Sequence, residues 1–175
     1  MRELAITAVG SDRPGIVAGI TQALLGLGGN LEDCRAALLR GSFAIALAVA
    51  VPDEVASEEV REALRPVAAE LGLGLWVGEA EPAASTRPGE RCVVSVYGAD
   101  HPGIVHAVSR TLAERAVNIV DLSSRVVGDP LIYVLGIEVE LPEGMEPSGL
   151  ESALRPVAQA QGVELAIEAE SDEVL

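Results

Sequence analysis

The most regular pattern in this chain lies in Phe43–Val51, where large apolar side chains alternate with alanine. Since the side chains of a β-strand point alternately to its two faces, the large set predicts a core face and the alanine set predicts a smooth outer face. A second segment, Tyr133–Leu141, keeps the large set but carries Glu138 and Glu140 among its alternate positions. The pattern therefore predicts the same core face in both segments and two different outer faces.

Helical and extended patterns surround Phe43–Val51 in a fixed order. Apolar residues at helical spacing predict two helices; they are Ile16, Ile20, Leu24 and Leu27, then Val60, Leu64, Val67 and Leu71. The extended runs are Leu4–Val9, Asn30–Arg40, Phe43–Val51 and Gly74–Glu79. The order strand, helix, strand, strand, helix, strand predicts an antiparallel four-stranded sheet with both helices on one face.

A motif that occurs twice shows that this unit is duplicated. Asp-Arg-Pro-Gly-Ile-Val at 12–17 returns as Asp-His-Pro-Gly-Ile-Val at 100–105, at an offset of 100 − 12 = 88 residues. Leu-Arg-Pro-Val-Ala at 64–68 returns at 154–158, at an offset of 154 − 64 = 90 residues. The two additional residues are expected in the turn at 127–130. We predict the α+β class with two ferredoxin-like units: domain 1 at 1–81, a linker at 82–90 and domain 2 at 91–175.

Charge narrows the classes of function. The chain has 12 basic residues, all of them arginine, against 27 acidic residues, for a net charge of −15. So acidic a surface repels phosphate backbones, which argues against direct nucleic-acid binding. The longest apolar run is too short to span a bilayer. We expect a cytoplasmic protein without a signal peptide or membrane partner, and with Cys34 and Cys92 packed in its cores.

The repeated motif has the chemistry of a small-molecule site. A helix start following a strand presents free N–H groups that bind carboxylates, and a glycine there removes a side chain that would block approach. Asn30 and Asn118 each bring an amide with both a donor and an acceptor, and the carboxylates of Asp12, Asp33 and their counterparts in the second copy could receive an ammonium group. Together these groups predict a site for a small zwitterion, that is, an amino acid.

A purely architectural interpretation of the same residues stays open. In it, Asp12 caps the first helix, Gly15 is a packing residue and Asn30 forms a turn. Ser148 with Glu151 has the form of a capping box at a later helix.

Several of these residues carry a resemblance to a known family. Asp-Arg-Pro-Gly-Ile-Val, then Gly-Gly-Asn-Leu-Glu-Asp at 28–33, a Gly41 turn and Phe43 together resemble an ACT domain, a small regulatory βαββαβ module. Two such modules in one chain, with Ile-Thr-Ala-Val-Gly at 6–10 ahead of the motif, are similar to the glycine cleavage system transcriptional repressor family.

The resemblance implies where an effector would bind. In ACT modules the effector lies where two modules meet, between the first strand-to-helix loop of one and the start of the second strand of the other. The implied effector-binding residues are Asp12, Gly15, Ile16, Asn30 and Leu31 in the first copy and Asp100, His101, Gly103, Ile104, Asn118 and Ile119 in the second copy.

The resemblance also implies a role. It implies a non-enzymatic regulator that binds an amino acid, with glycine or serine as the first candidates, and acts through a protein partner such as a transcriptional activator. The apolar outer faces and edge strands favour a homodimer. We expect no metal and no cofactor.

Two alternative functions remain open. One is a docking or regulatory subunit of a metabolic enzyme, without a ligand of its own. The other is a small hydrolase of acyl phosphates, since acylphosphatases share the element order. An acidic side chain beside the anion-binding loop disfavours phosphate, and His101 and His106 have no third metal ligand nearby in the sequence.

Overall fold

A computed structural model describes residues 1–80 and 89–169. The chain divides into two compact units, whose described parts are those two ranges. Most of the predicted linker at 82–90 therefore lies outside the described residues. The predicted domain limits at 81 and 91 stay a prediction.

The first unit contains four strands and two helices in the predicted order. They are β1 (Arg2–Ser11), α1 (Ile16–Gly26), β2 (Asn30–Leu39), β3 (Ser42–Val51), α2 (Ser57–Leu71) and β4 (Leu73–Glu79). The strands form one antiparallel sheet in the order β2-β3-β1-β4.

The second unit repeats this architecture. Its elements are β5 (Arg91–Gly98), α3 (Ile104–Ala113), β6 (Asn118–Val127), β7 (Ile132–Glu140), α4 (Pro147–Gln161) and β8 (Val163–Ala169). The sheet order is β6-β7-β5-β8, again antiparallel. The predicted fold, two ferredoxin-like units each with a four-stranded sheet, is confirmed.

The two hairpins show where the repeats differ in length. Arg40 and Gly41 connect β2 to β3, and their φ angles of 50° and 85° are both left-handed, as in the two-residue turns that match strand twist. Four residues, 128–131, connect β6 to β7. The two additional residues of the second copy therefore lie in this turn, as predicted.

Each sheet buries one face beneath its helices. In β3 the large apolar residues from Ile45 to Val51 are buried, and in β7 the corresponding set is buried as well. The cores are closed by α1 and α2 through Ile20 and Leu64, and by α3 and α4 through Leu112 and Leu154. The predicted core face is confirmed in both copies.

The helix starts differ from the prediction. The N-cap of α1 is Gly15 in a left-handed conformation, with no side-chain capping bond, so Asp12 does not cap the helix. The N-cap of α4 is Glu146, also without a side-chain bond, so the capping box of Ser148 is wrong. Because the helix begins at Ile16, four residues after Asp12, the Asp12 carboxylate lies too early in the chain to accept from the first-turn amides.

The two cysteines have opposite environments. Cys92 on β5 is buried, as predicted, but Cys34 on β2 is exposed. All ten residues of β2 are exposed, since the helices pack over the inner strands and leave this edge strand bare. The prediction that Cys34 packs in the core is therefore wrong.

Candidate functional site

The repeated motif forms the loop between the first strand and first helix of each unit. Gly15 and Gly103 occupy the N-cap with φ angles of 95° and 107°. Ile16 and Ile104 follow, each only 2% exposed, and anchor the loop in the core. Each loop thus ends at a helix start, whose first-turn N–H groups have no intrahelical acceptor.

Glycine is favoured in this loop by backbone conformation and not by lack of space. A left-handed φ strains any residue that has a Cβ atom. A Cβ built on Gly15 has no atom within 4 Å, and one built on Gly103 has only Gln161 Oε1, at 3.6 Å. Both positions therefore open towards free space, where a ligand could approach the backbone.

In the second unit this loop lines a cavity of about 390 Å³. Asp100, His101, Gly103 and Ile104 line it, together with Pro102, Val105, His106 and Tyr133. Four of the six residues predicted for this copy are thus brought together. The other two, Asn118 and Ile119, do not line this cavity.

Asn118 and Ile119 begin β6, and Asn30 and Leu31 begin β2 in the same way. A β-bulge follows at once in both strands, between Leu31 and Asp33 and between Ile119 and Asp121. Such a bulge re-aims the side chains around it. The predicted asparagine therefore lies at a bulged edge-strand terminus in each unit.

Leu31 lines a second cavity, of about 430 Å³, between β2 and α1. Ala18, Thr21 and Leu25 of the helix contribute to its wall. In the first unit, as in the second, the predicted residues at the start of the second strand (the strand half of the site) thus lie apart from those of the strand-to-helix loop (the loop half).

The loop of the first unit is held from the hairpin side. The backbone N–H of Asp12 donates to the carbonyl of Gly41 at 3.0 Å. Asp12 and Arg13 are both exposed. The carboxylate of Asp12 therefore remains accessible to a ligand.

In the second unit, His101 holds the loop. Its Nε2 lies 2.8 Å from the carbonyl oxygen of Gln161, and its Nδ1 lies 3.1 Å from that of Pro102. These two carbonyls, the Gln161 bond first, raise the pKa of His101 above its ordinary value, and the carboxylate of Asp100 raises it further, against a small opposing effect of burial. His101 is thus a link within the protein, with both ring nitrogens engaged.

Sequence reasoning missed four residues that line this cavity, Pro102, Val105, His106 and Tyr133. Tyr133, which is 8% exposed, was taken as a core residue, yet it lines the cavity. The signal was its hydroxyl, since Phe43 occupies the matching position of the first copy. Gln161 contributes a backbone carbonyl, which no sequence pattern could have indicated.

Across 1–80 and 89–169, no helix is both long and apolar enough to cross a membrane. The same ranges contain no cluster of three or more side chains suited to hold a metal ion.

Comparison with known proteins gives the family. A model described as ACT domain matches residues 2–77 and 90–168. A UPF0237 protein of Methanopyrus kandleri is 37% identical over 78 residues, which is 44% of this chain and 87% of that protein. Such relatives correspond to a single unit of this chain.

Solved structures match both units together. A protein of unknown function from Galdieria sulphuraria has a TM-score of 0.84 and 27% identity, covering 97% of this chain and 99% of that one. A candidate glycine cleavage system transcriptional repressor has a TM-score of 0.70 at 19% identity, covering 98% of each chain. At that identity the likeness shows the fold alone.

Proposed function

The chain belongs to the ACT domain family, and we propose that it is a non-enzymatic regulatory protein that binds an amino acid and acts through a protein partner. The single observation that carries this proposal is the cavity at the loop of the second unit. There a helix start, the Asp100 carboxylate and a glycine open to solvent meet in about 390 Å³, a volume suited to a small molecule.

The cavity offers a group of complementary charge or polarity for each charged end of an amino acid. The carboxylate of the ligand would accept from the N–H groups at the start of α3. The ammonium would be received by Asp100. Phosphate is disfavoured, because the same Asp100 carboxylate would repel a second anion.

We propose that a second module completes the site. The effector-binding set would then be Asp12, Gly15, Ile16, Asp100, Gly103 and Ile104 from the loops, with Asn30, Leu31, Asn118 and Ile119 from the strand starts, while the predicted His101 holds its loop in place. The separation of loop and strand halves within each unit supports this arrangement. Because β2 is exposed along its whole length, a homodimer is the simplest source of a second module, and sedimentation at micromolar concentration tests it.

The partner is proposed to be a protein, such as a transcriptional activator, in the cytoplasm. The net charge of −15 supports this, since it disfavours direct contact with nucleic acid. The resemblance to glycine cleavage repressors makes glycine and serine the first ligands to try.

Calorimetric titration of the purified protein with a panel of amino acids tests the ligand. Saturable binding of one amino acid, weakened by Gly103→Ala, is expected. An absence of heat and of thermal stabilisation with every amino acid would contradict the proposal.

The second candidate function is a docking subunit of a metabolic enzyme. Its specific support is the outer face of the first sheet, where Ala44, Ala46 and Ala48 lie on β3 and an exposed Trp76 lies on β4, on the other side of β1. The indole is 54% exposed and packs over Gly78 on the same strand. Retention of an enzyme by the wild type but not by Trp76→Ala, together with no amino-acid binding, would favour this function.

A further inference from the structure

His101 joins two parts of the second unit that are far apart in the sequence. Its ring links the β5–α3 loop, which lines the cavity, to the carbonyl of Gln161, the last residue of α4. The N–H of Gly162 satisfies the carbonyls of Ala158 and Gln159. The Gln161 carbonyl is one of the orphan acceptors at this helix end, and His101 supplies its donor.

Only a doubly protonated ring can donate a hydrogen bond along both contacts. Both neighbours of the ring are carbonyl oxygens, which only accept hydrogen bonds. A neutral imidazole has one N–H and one lone pair, so one carbonyl would face a lone pair. The imidazolium donates to both, and its charge also suits the negative end of a helix.

We propose that His101 is a proton-dependent positioning residue, whose imidazolium fastens the β5–α3 loop to the end of α4 and so holds the loop in its ligand-binding conformation. As a regulation of the site, this inference rests on the proposed function. Amino-acid binding at the second unit should then weaken as the pH rises and the His101 imidazolium loses a proton.

The His101 ring has few charged or titratable neighbours. Asp100 flanks it on its own loop, His106 on α3 and Tyr133 on β7 line the same cavity, and the last six residues of α4 carry no charge. Glu164 on β8 pairs with Tyr97 in the outer-facing register, away from the helices. The pKa of His101 is raised, in agreement with this geometry.

The first unit provides an internal control. Arg13 occupies the position of His101, and an arginine stays charged at every pH that the protein tolerates. The loop at 12–16 should therefore show no proton-dependent change, whereas the loop at 100–104 should show one.

We call the pair of hydrogen bonds from His101 to the carbonyls of Pro102 and Gln161 the clamp. Amide hydrogen exchange on the ligand-free protein tests it. Exchange, corrected for its intrinsic pH dependence, is followed at the first helix amide that donates to each loop, from about pH 5.5 to about pH 8.5, either side of the ordinary pKa of histidine. Protection of the Ala107 amide, which donates to the Gly103 carbonyl, should fall by up to about tenfold per pH unit, the limit set by one linked proton, while protection of the Gly19 amide, which donates to the Gly15 carbonyl, stays constant.

Two variants sharpen the result. His101→Gln should lose protection at low pH and remove the pH dependence, because the glutamine amide does not titrate in this range and carries its two N–H donors on one nitrogen, whereas the ring uses two separate nitrogens. Gln161→Ala keeps the backbone carbonyl and should behave as wild type. If His101→Gln kept the wild-type pH profile, or Gln161→Ala abolished it, the clamp would be wrong.

Calorimetry at both ends of the pH range separates this inference from the proposed function. Amino-acid binding that weakens as pH rises supports both. Binding that is equal at the two pH values leaves the function standing and overturns the clamp. A pH-dependent loop without binding of any amino acid supports the clamp and overturns the function.

Discussion

Replacing Gly103 with alanine distinguishes a glycine needed for binding from one needed only for folding. The φ angle of 107° strains an alanine by about 1–2 kcal/mol. The lower entropy of the unfolded chain returns about 0.4–1 kcal/mol. No clash adds to this, since the nearest atom lies 3.6 Å from the built Cβ. We expect a net loss of about 1 kcal/mol in the free energy of unfolding.

Gly144 supplies the matched control. Its φ angle is 82°, a built Cβ has no atom within 4 Å, and the strain on alanine should therefore be similar. It follows the end of β7 at Glu140, which pairs with Arg91, whereas the cavity lies at the opposite end, where Tyr133 pairs with Gly98. Gly144→Ala should thus cost the same stability and leave the cavity unchanged.

Urea unfolding, thermal unfolding and calorimetric titration with the amino acid are measured on both variants. For a unit of this size, about 1 kcal/mol corresponds to a decrease of about 4–8 °C in Tm. Only Gly103→Ala should lose affinity for the amino acid, by about tenfold, which is about 1.4 kcal/mol of binding free energy. If both variants lost stability equally and bound the ligand as tightly as wild type, the helix-start cavity would be the wrong site.

Three further predictions concern stability and reactivity. Since the pKa of His101 is raised in the folded state, its contribution to the free energy of unfolding should be full below about pH 6.5 and lost as pH rises through the raised value, as measured by comparing wild type with His101→Gln in urea. Leu154→Ala, at a position that is 0% exposed, should destabilise the second unit by about 2–5 kcal/mol in the same assay; a loss below about 1 kcal/mol would contradict its core position. Exposed Cys34 should react with a thiol reagent in the native protein, while Cys92, whose pKa is raised by burial and by Glu90, should react only on unfolding; equal native rates would refute the assigned environments.

The architecture could be predicted because its signals are local. The alternation in Phe43–Val51 determines which face is buried, since the strand period is two in any context. The duplication located the additional residues of the second hairpin, because offsets of 88 and 90 leave no other place for them than the segment between the two motifs. The same local logic failed at Asp12, where a left-handed Gly15 moves the helix start beyond reach of its carboxylate.

What the sequence determined by itself was the duplication, the order of the elements, their core faces and the loop that both copies share. Packing determined which of the groups shared by the two copies come together. It placed four predicted residues around one cavity, left the strand starts outside that cavity and exposed Cys34 on an edge strand. It also brought the end of α4 to His101, 60 residues away. The physical reason is that periodicity reports each segment's own burial, whereas a contact to a backbone carbonyl depends on how separate segments pack and leaves no trace in side-chain pattern.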